Sequence, residues 1–170
     1  MLKQAAAGND EQSIQTCWEA VPEHIKTVQN VANIYFAAMI SAGAGPKVES
    51  ALISQLVKHW DDTLLILYAD IDTGNPAKHL QTAEQWLVMY SSDAILLRVL
   101  GKLAFKAEQL EKAEQYLLKS LHIDASVSAY RLLGEIQFAR GDKDHACENF
   151  KRGLELASEE VVRNAATLAE

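Results

Sequence analysis

The chain has 170 residues, with 16 Lys+Arg against 23 Asp+Glu and a net charge of −7. An apolar share of 49% and a charged share of 23% give a globular balance with enough chain for a buried core, and 8 Gly with 3 Pro are too few turn formers for a sandwich or barrel. The acidic balance disfavours a general nucleic-acid binder, which needs a basic face to displace counterions, and unaided docking on an anionic membrane.

Met1 to Gln12 reads as a capping helix or a frayed end. Apolar residues then recur at helical spacing. Val28, Val31, Ala32, Tyr35, Phe36 and Met39 trace a first face, up to the stop at Gly43-Ala44-Gly45-Pro46, where Pro46 suits the first turn of the next helix. Ala51, Leu52, Leu56, Val57 and Trp60 trace a second, and Leu64, Leu67, Tyr68 and Ile71 a third, up to Thr73-Gly74-Asn75-Pro76. Leu80, Ala83, Trp86, Leu87 and Tyr90 precede Ser91-Ser92-Asp93, whose oxygens suit a helix N-cap. Four more stripes follow. They run over Leu96 to Ala104, Leu110 to Leu121, Tyr130 to Phe138 and, past a break at Gly141-Asp142, Ala146 to Ala157. Glu159 to Glu170 reads as a terminal helix or tail. The longest apolar run, Ile34 to Ile40, falls far short of the roughly 20 residues that cross a bilayer.

Two segments align without gaps at a separation of 33 residues. Leu97, Leu100, Gly101, Ala113 and Leu117 match Tyr130, Leu133, Gly134, Ala146 and Phe150. This resembles the tetratricopeptide repeat, a helix–turn–helix unit of about 34 residues. The Gly and the Ala belong where the two helices of a hairpin cross, because larger side chains would hold them apart. Gln137 stands where an aromatic is usual, and Ala125 and Ser158 where Pro often ends the unit. The expected architecture is therefore all-α: a single domain over 1–170, an α-solenoid of antiparallel helix hairpins with about four repeats. Residues 15–60 read as degenerate first hairpins, 61–92 as a looser repeat, 93–125 and 126–158 as the two clear repeats, and 159–170 as the terminal helix or tail.

A narrower likeness lies in the order of several words: Trp18-Glu19-Ala20-Val21-Pro22, Lys58-His59-Trp60-Asp61-Asp62-Thr63-Leu64-Leu65, Leu80-Gln81-Thr82-Ala83-Glu84-Gln85-Trp86-Leu87, Leu100-Gly101-Lys102-Leu103, and Gln109-Leu110 with Lys112-Ala113. Over residues 15 to 157 these resemble the C-terminal region of HemY-type bacterial proteins, which are encoded with haem-biosynthesis genes. One departure is Glu111, where the family often has a Trp-Gly pair. The resemblance implies a role in late protohaem synthesis and a portion of an inner-membrane protein whose two spanning helices lie ahead of it. It transfers no catalytic residue. The flavoprotein oxidase that shares the name has a Gly-rich dinucleotide motif, and this chain has none.

The residues themselves offer little chemistry. No two of the five His lie three or four apart, so no helix face presents a paired metal site. Nucleophile-elbow, P-loop and CxxC motifs are missing. Cys17 and Cys147 are far apart, and Cys147 reads as a core thiol. Asp61-Asp62, Asp70 with Asp72, and Glu159-Glu160 fall at expected helix ends, where acids cap or stay solvated. Trp60 and Trp86 read as packing between repeats. No catalytic residue, cofactor or metal is expected.

One constellation stands out. In tetratricopeptide repeats, positions two, five, nine and twelve of the first helix face the groove. Here these are Ile95, Arg98, Lys102 and Phe105, then Ser128, Arg131, Glu135 and Phe138. Arg98, Arg131 and Lys102 would set cations over one trough, with Phe105 and Phe138 beside them, and guanidinium forks bind carboxylates in a bidentate way. The plainer alternative is that Arg131 pairs with Glu135 at i,i+4. The expected function is a non-enzymatic scaffold for a protein or peptide partner, with a haem-pathway enzyme as the partner the resemblance suggests. The second reading is a tetrapyrrole carrier or sensor, its propionates meeting the same arginines.

Overall fold

A computed structural model describes residues 10–167 of the chain. It divides into two compact units that part between Asn75 and Pro76, inside the 61–92 span. Among the described residues there is no strand, and no helix is long and apolar enough to cross a membrane.

The first unit carries α1 (Glu11–Glu19), α2 (Glu23–Lys26), α3 (Gln29–Ser41), α4 (Gly45–Lys58) and α5 (Asp62–Asp70). Asp10 starts α1 by accepting the N–H groups of Gln12 and Ser13 at 3.2 Å each, which satisfies two donors that the first turn cannot. At the other end of α1, Trp18 stacks on Tyr35 of α3, with ring centroids 4.2 Å apart and planes 8° from parallel. The turn after α3 places Gly43 at φ 76°. There Ala44 N–H reaches Met39 O and Gly43 N–H reaches Ile40 O, both at 2.9 Å, a Schellman closure. Asp61 caps α5 through Leu64 N–H at 2.9 Å and also accepts from Asn33 Nδ2 at 3.3 Å, tying α3 to α5. Ile14, Phe36, Met39, Leu52, Leu56, Leu64 and Tyr68 form the core.

The second unit opens with α6 (Pro76–Glu84), which tightens into a single 3-10 turn over Gln85–Val88. Four helices then form two antiparallel hairpins: α7 (Ala94–Lys106) with α8 (Leu110–Ile123), and α9 (Val127–Ala139) with α10 (Lys143–Thr167). Asp93 starts α7 by accepting Ile95 and Leu96 N–H at 2.9 Å each, and Ser126 starts α9 through Ala129 N–H at 3.3 Å.

The small residues of the repeat lie at the helix crossings. A Cβ on Gly101 would come within 2.6 Å of Leu117 Cγ, and one on Gly134 within 2.5 Å of the Phe150 ring. Ala113 and Ala146 are buried. The large residue at offset 117 or 150 thus fills the space that the glycine of its own hairpin leaves open. Gln137, at the usual aromatic position, accepts from Asn149 Nδ2 at 2.8 Å and links α9 to α10 by a hydrogen bond in place of ring packing.

The last helix departs from the sequence expectation. α10 runs unbroken for 25 residues, past Ser158, because no Gly or Pro follows Gly153 to stop it. Glu159 and Glu160, expected near a helix end, lie within it on exposed positions. Cys147 is exposed and not in the core, because Ala146 turns the buried face of α10 toward α9 and leaves its neighbour outward. The reading of Met1 to Gln12 falls mostly outside the described residues.

Candidate functional site

α7 and α9 carry the same division of faces. In α7 the buried residues are Leu96, Leu97, Val99, Leu100, Gly101, Leu103 and Ala104. Ile95, Arg98, Lys102 and Phe105 occupy the complementary stripe and are half-buried. In α9 the buried set is Ala129, Leu132, Leu133, Gly134 and Ile136. Ser128 and Glu135 are half-buried, and Arg131 and Phe138 are exposed, Phe138 at 61%. The two helices pack against each other. All eight residues singled out in the sequence therefore stand on faces left out of the core.

Repeat pairs built on small crossing residues, stacked with first helices side by side, decide the architecture. The chain has a tetratricopeptide-like fold. Among solved structures, it is similar to the crystal structure of MamA, a tetratricopeptide-like protein, with a TM-score of 0.56 at 17% sequence identity over 89% of this chain and 88% of that one. No protein-family model matches the sequence, and neither does any curated protein. At that identity the likeness to MamA is one of fold.

The equivalent arginines are not equivalent in their bonding. Arg98 Nη1 donates to Ser126 Oγ at 3.0 Å, so it reaches from the first hairpin to the N-cap of the second. Arg131 pairs with Glu135 within its own helix. The i,i+4 alternative thus holds for Arg131, and Arg98 has a structural partner that the sequence did not suggest.

Other polar links hold the second unit together. Glu84, at the end of α6, accepts the Tyr116 hydroxyl at 2.8 Å and pairs with Lys112, both on α8. Burial, and then the Glu84 carboxylate, push the Tyr116 phenol well above its usual range. Arg140, closing α9, pairs with Glu114 and more loosely with Glu111 at 3.8 Å, both on α8. His79 in α6 is buried, and burial followed by the nearby Lys106 charge pushes its imidazole down from 6.5 to about 4. It is therefore neutral at physiological pH. His145 is exposed and bonded to Asp142, with Nδ1 to Oδ2 at 2.7 Å. That bond draws the imidazole above its ordinary value and the carboxyl below its own. Among the described residues, no group of three or more His, Cys, Asp or Glu could hold a metal ion.

One feature escaped the sequence. Val127 and Arg131 of α9, with Phe150, Gly153 and Leu154 of α10, line a pocket of about 240 Å³. The signal for it lay in the repeat alignment, where Phe150 and Leu154 sit opposite Leu117 and Leu121 but belong to the later repeat.

Proposed function

We propose that this chain is a non-enzymatic scaffold that holds a peptide or protein partner on the open face of α7 and α9. The observation that supports it is the coincidence of register: Ile95, Arg98, Lys102, Phe105, Ser128, Arg131, Glu135 and Phe138 all fall on the stripe that the core does not use. Rigid helix pairs present such a stripe without reorganisation, which limits the ordering cost of binding. The exposed Phe138 ring is the apolar anchor. Arg131 and Lys102 select a carboxylate-bearing partner, and Arg98 frames the site through its bond to Ser126. A charge-assisted bond made where water is excluded contributes about 1.5–3 kcal/mol, against about 0–1 kcal/mol on an open surface. Binding therefore requires the partner to cover Arg131 and displace part of its bond to Glu135.

We further propose that the partner belongs to late protohaem synthesis at a bacterial inner membrane. That reading rests on the HemY-like words between residues 15 and 157. The tetrapyrrole-carrier reading is weaker, because neither α7 nor α9 contains a His to ligate iron.

The test is affinity capture from a bacterial membrane extract, with the double variant Arg131→Ala/Phe138→Ala as control. Both side chains are exposed, so the fold is retained. Loss of the captured proteins with the variant supports the site. An unchanged captured set overturns its placement, and a captured set without haem-pathway enzymes overturns the pathway assignment.

A further inference from the structure

The two hairpins of the second unit differ in what covers them. On the first hairpin, α9 packs over the face made by α7 and α8. Leu117 is sealed there, and Leu121 is half-buried. The equivalent face of the second hairpin lies on α9 and α10, where the matching positions are Phe150 and Leu154. Phe150 is 36% exposed and Leu154 is 71% exposed. These two line the apolar pocket with Val127 and Arg131. Arg131 pairs with Glu135 along its own helix, where Arg98 instead reaches the N-cap of the next hairpin. The stripe continues beyond the hairpin. Phe150, Leu154, Ala157 and Val161 are spaced four, three and four apart, which keeps them within one narrow sector of the helix. Val161 is 67% exposed. Among the described residues this stripe is an apolar face left open on α10.

We propose that this face is a self-association surface, on which α10 packs antiparallel against α10 of a second copy about a two-fold axis between Glu155 and Leu156. The stacking interface inside the chain already shows that this face accepts a helix, so the proposed contact continues an interface the fold has built once. The second copy fits because the stripe complements itself. Antiparallel pairing about that axis sets Phe150 opposite Val161 and Leu154 opposite Ala157, so each large side chain meets a smaller one. The flanking positions bring Lys151 opposite Ser158 and Glu160 opposite Gly153, so no like charges oppose each other. The contact is isologous and closes on itself, giving a dimer and not a filament. It shares only Arg131 with the proposed partner-binding stripe of α7 and α9, and Leu154 and Val161 lie outside that stripe, so either proposal can fail without the other.

The test is sedimentation velocity of the 170-residue chain over a concentration series. The unsubstituted chain shifts from monomer to dimer. Leu154→Glu/Val161→Glu weakens the association at least about tenfold, while helical circular dichroism, and the unfolding midpoint at concentrations where both chains are monomeric, stay unchanged, since both positions are exposed. The register is read by oxidation in a Cys17→Ser/Cys147→Ser background. Phe150→Cys/Val161→Cys gives a covalent dimer, because those two positions meet between copies but lie 11 residues, about 16 Å, apart within one helix. Neither single cysteine does so. A chain that stays monomeric across the series overturns the proposal, as does a dimer that survives Leu154→Glu/Val161→Glu. Cross-linking by either single cysteine overturns the antiparallel register.

Discussion

The repeats 93–125 and 126–158 share a sequence pattern and a helix–turn–helix geometry, yet their environments are unlike. Leu117 in the first is wholly buried, and its counterpart Phe150 in the second is a third exposed. Arg98 bonds forward to the next hairpin, and Arg131 bonds within its own helix. Even the turns differ. Both hairpins close with the same pair of bonds: Gln109 N–H to Ala104 O with Glu108 N–H to Phe105 O, and Asp142 N–H to Gln137 O with Gly141 N–H to Phe138 O. Yet the residue held at positive φ is Glu108 at 59° in the first and Gly141 at 83° in the second. A repeat motif therefore specifies how a hairpin folds, while the hairpin's neighbours set how much each of its residues contributes.

The sharpest way to break this comparison is to truncate the equivalent large residues. Leu117→Ala should cost about 2–5 kcal/mol, the range for a leucine deleted from a sealed site. Phe150→Ala should cost about 1–2 kcal/mol, because part of the ring is already in water. Equal losses in urea unfolding at dilute concentration would mean that the two hairpins are equally covered.

The next effect is a pH dependence confined to the second unit. His79 is neutral in the fold and titrates at about 4, below its ordinary 6.5. Between those values the unfolded chain binds a proton that the folded chain does not. Stability is therefore full above about 6.5 and falls as pH drops toward about 4, by about 2–3 kcal/mol. His79→Gln should flatten that slope. A slope that persists in the variant would assign it elsewhere.

A smaller difference is expected at the crossings. Gly101→Ala forces a methyl onto Leu117, which has no free space to move into, and should cost about 1–3 kcal/mol. Gly134→Ala meets the Phe150 ring, which can rotate toward solvent, and Ala is the better helix former, so the net change should stay within about 0.5 kcal/mol. Thermal unfolding of the two variants side by side reads the contrast. The smallest effect belongs to the turns. Glu108→Gly should stabilise by about 0.5–1 kcal/mol, by relieving a left-handed backbone that costs L-residues energy. Gly141→Ala should destabilise by a similar amount.

Much of this was legible before any coordinates. Spacings of three and four placed nearly every helix of the second unit, Asp93 announced the start of α7, and the 33-residue offset put Gly101 and Gly134 at the crossings. The division of α7 into core and open faces followed from the same period. Where the sequence misled, a long-range contact or an absent stop decided the outcome. Cys147 sat in an apolar stretch but on its outer side. Glu159-Glu160 looked terminal, but nothing after Gly153 breaks the helix. The Arg98–Ser126 bond joins residues 28 positions apart, and no local pattern encodes it.

Helicity, hairpin register and the faces that turn inward are properties of short segments, because hydrophobic period and capping act over one or two turns. Those were fixed by the order of residues alone. The burial of Leu117 against the exposure of Phe150, the separate fates of two aligned arginines, and the depressed His79 depend on which helix lies next to which. Desolvation and contact are set by everything within a few ångströms, whatever its distance along the chain, so only the tertiary structure could decide them.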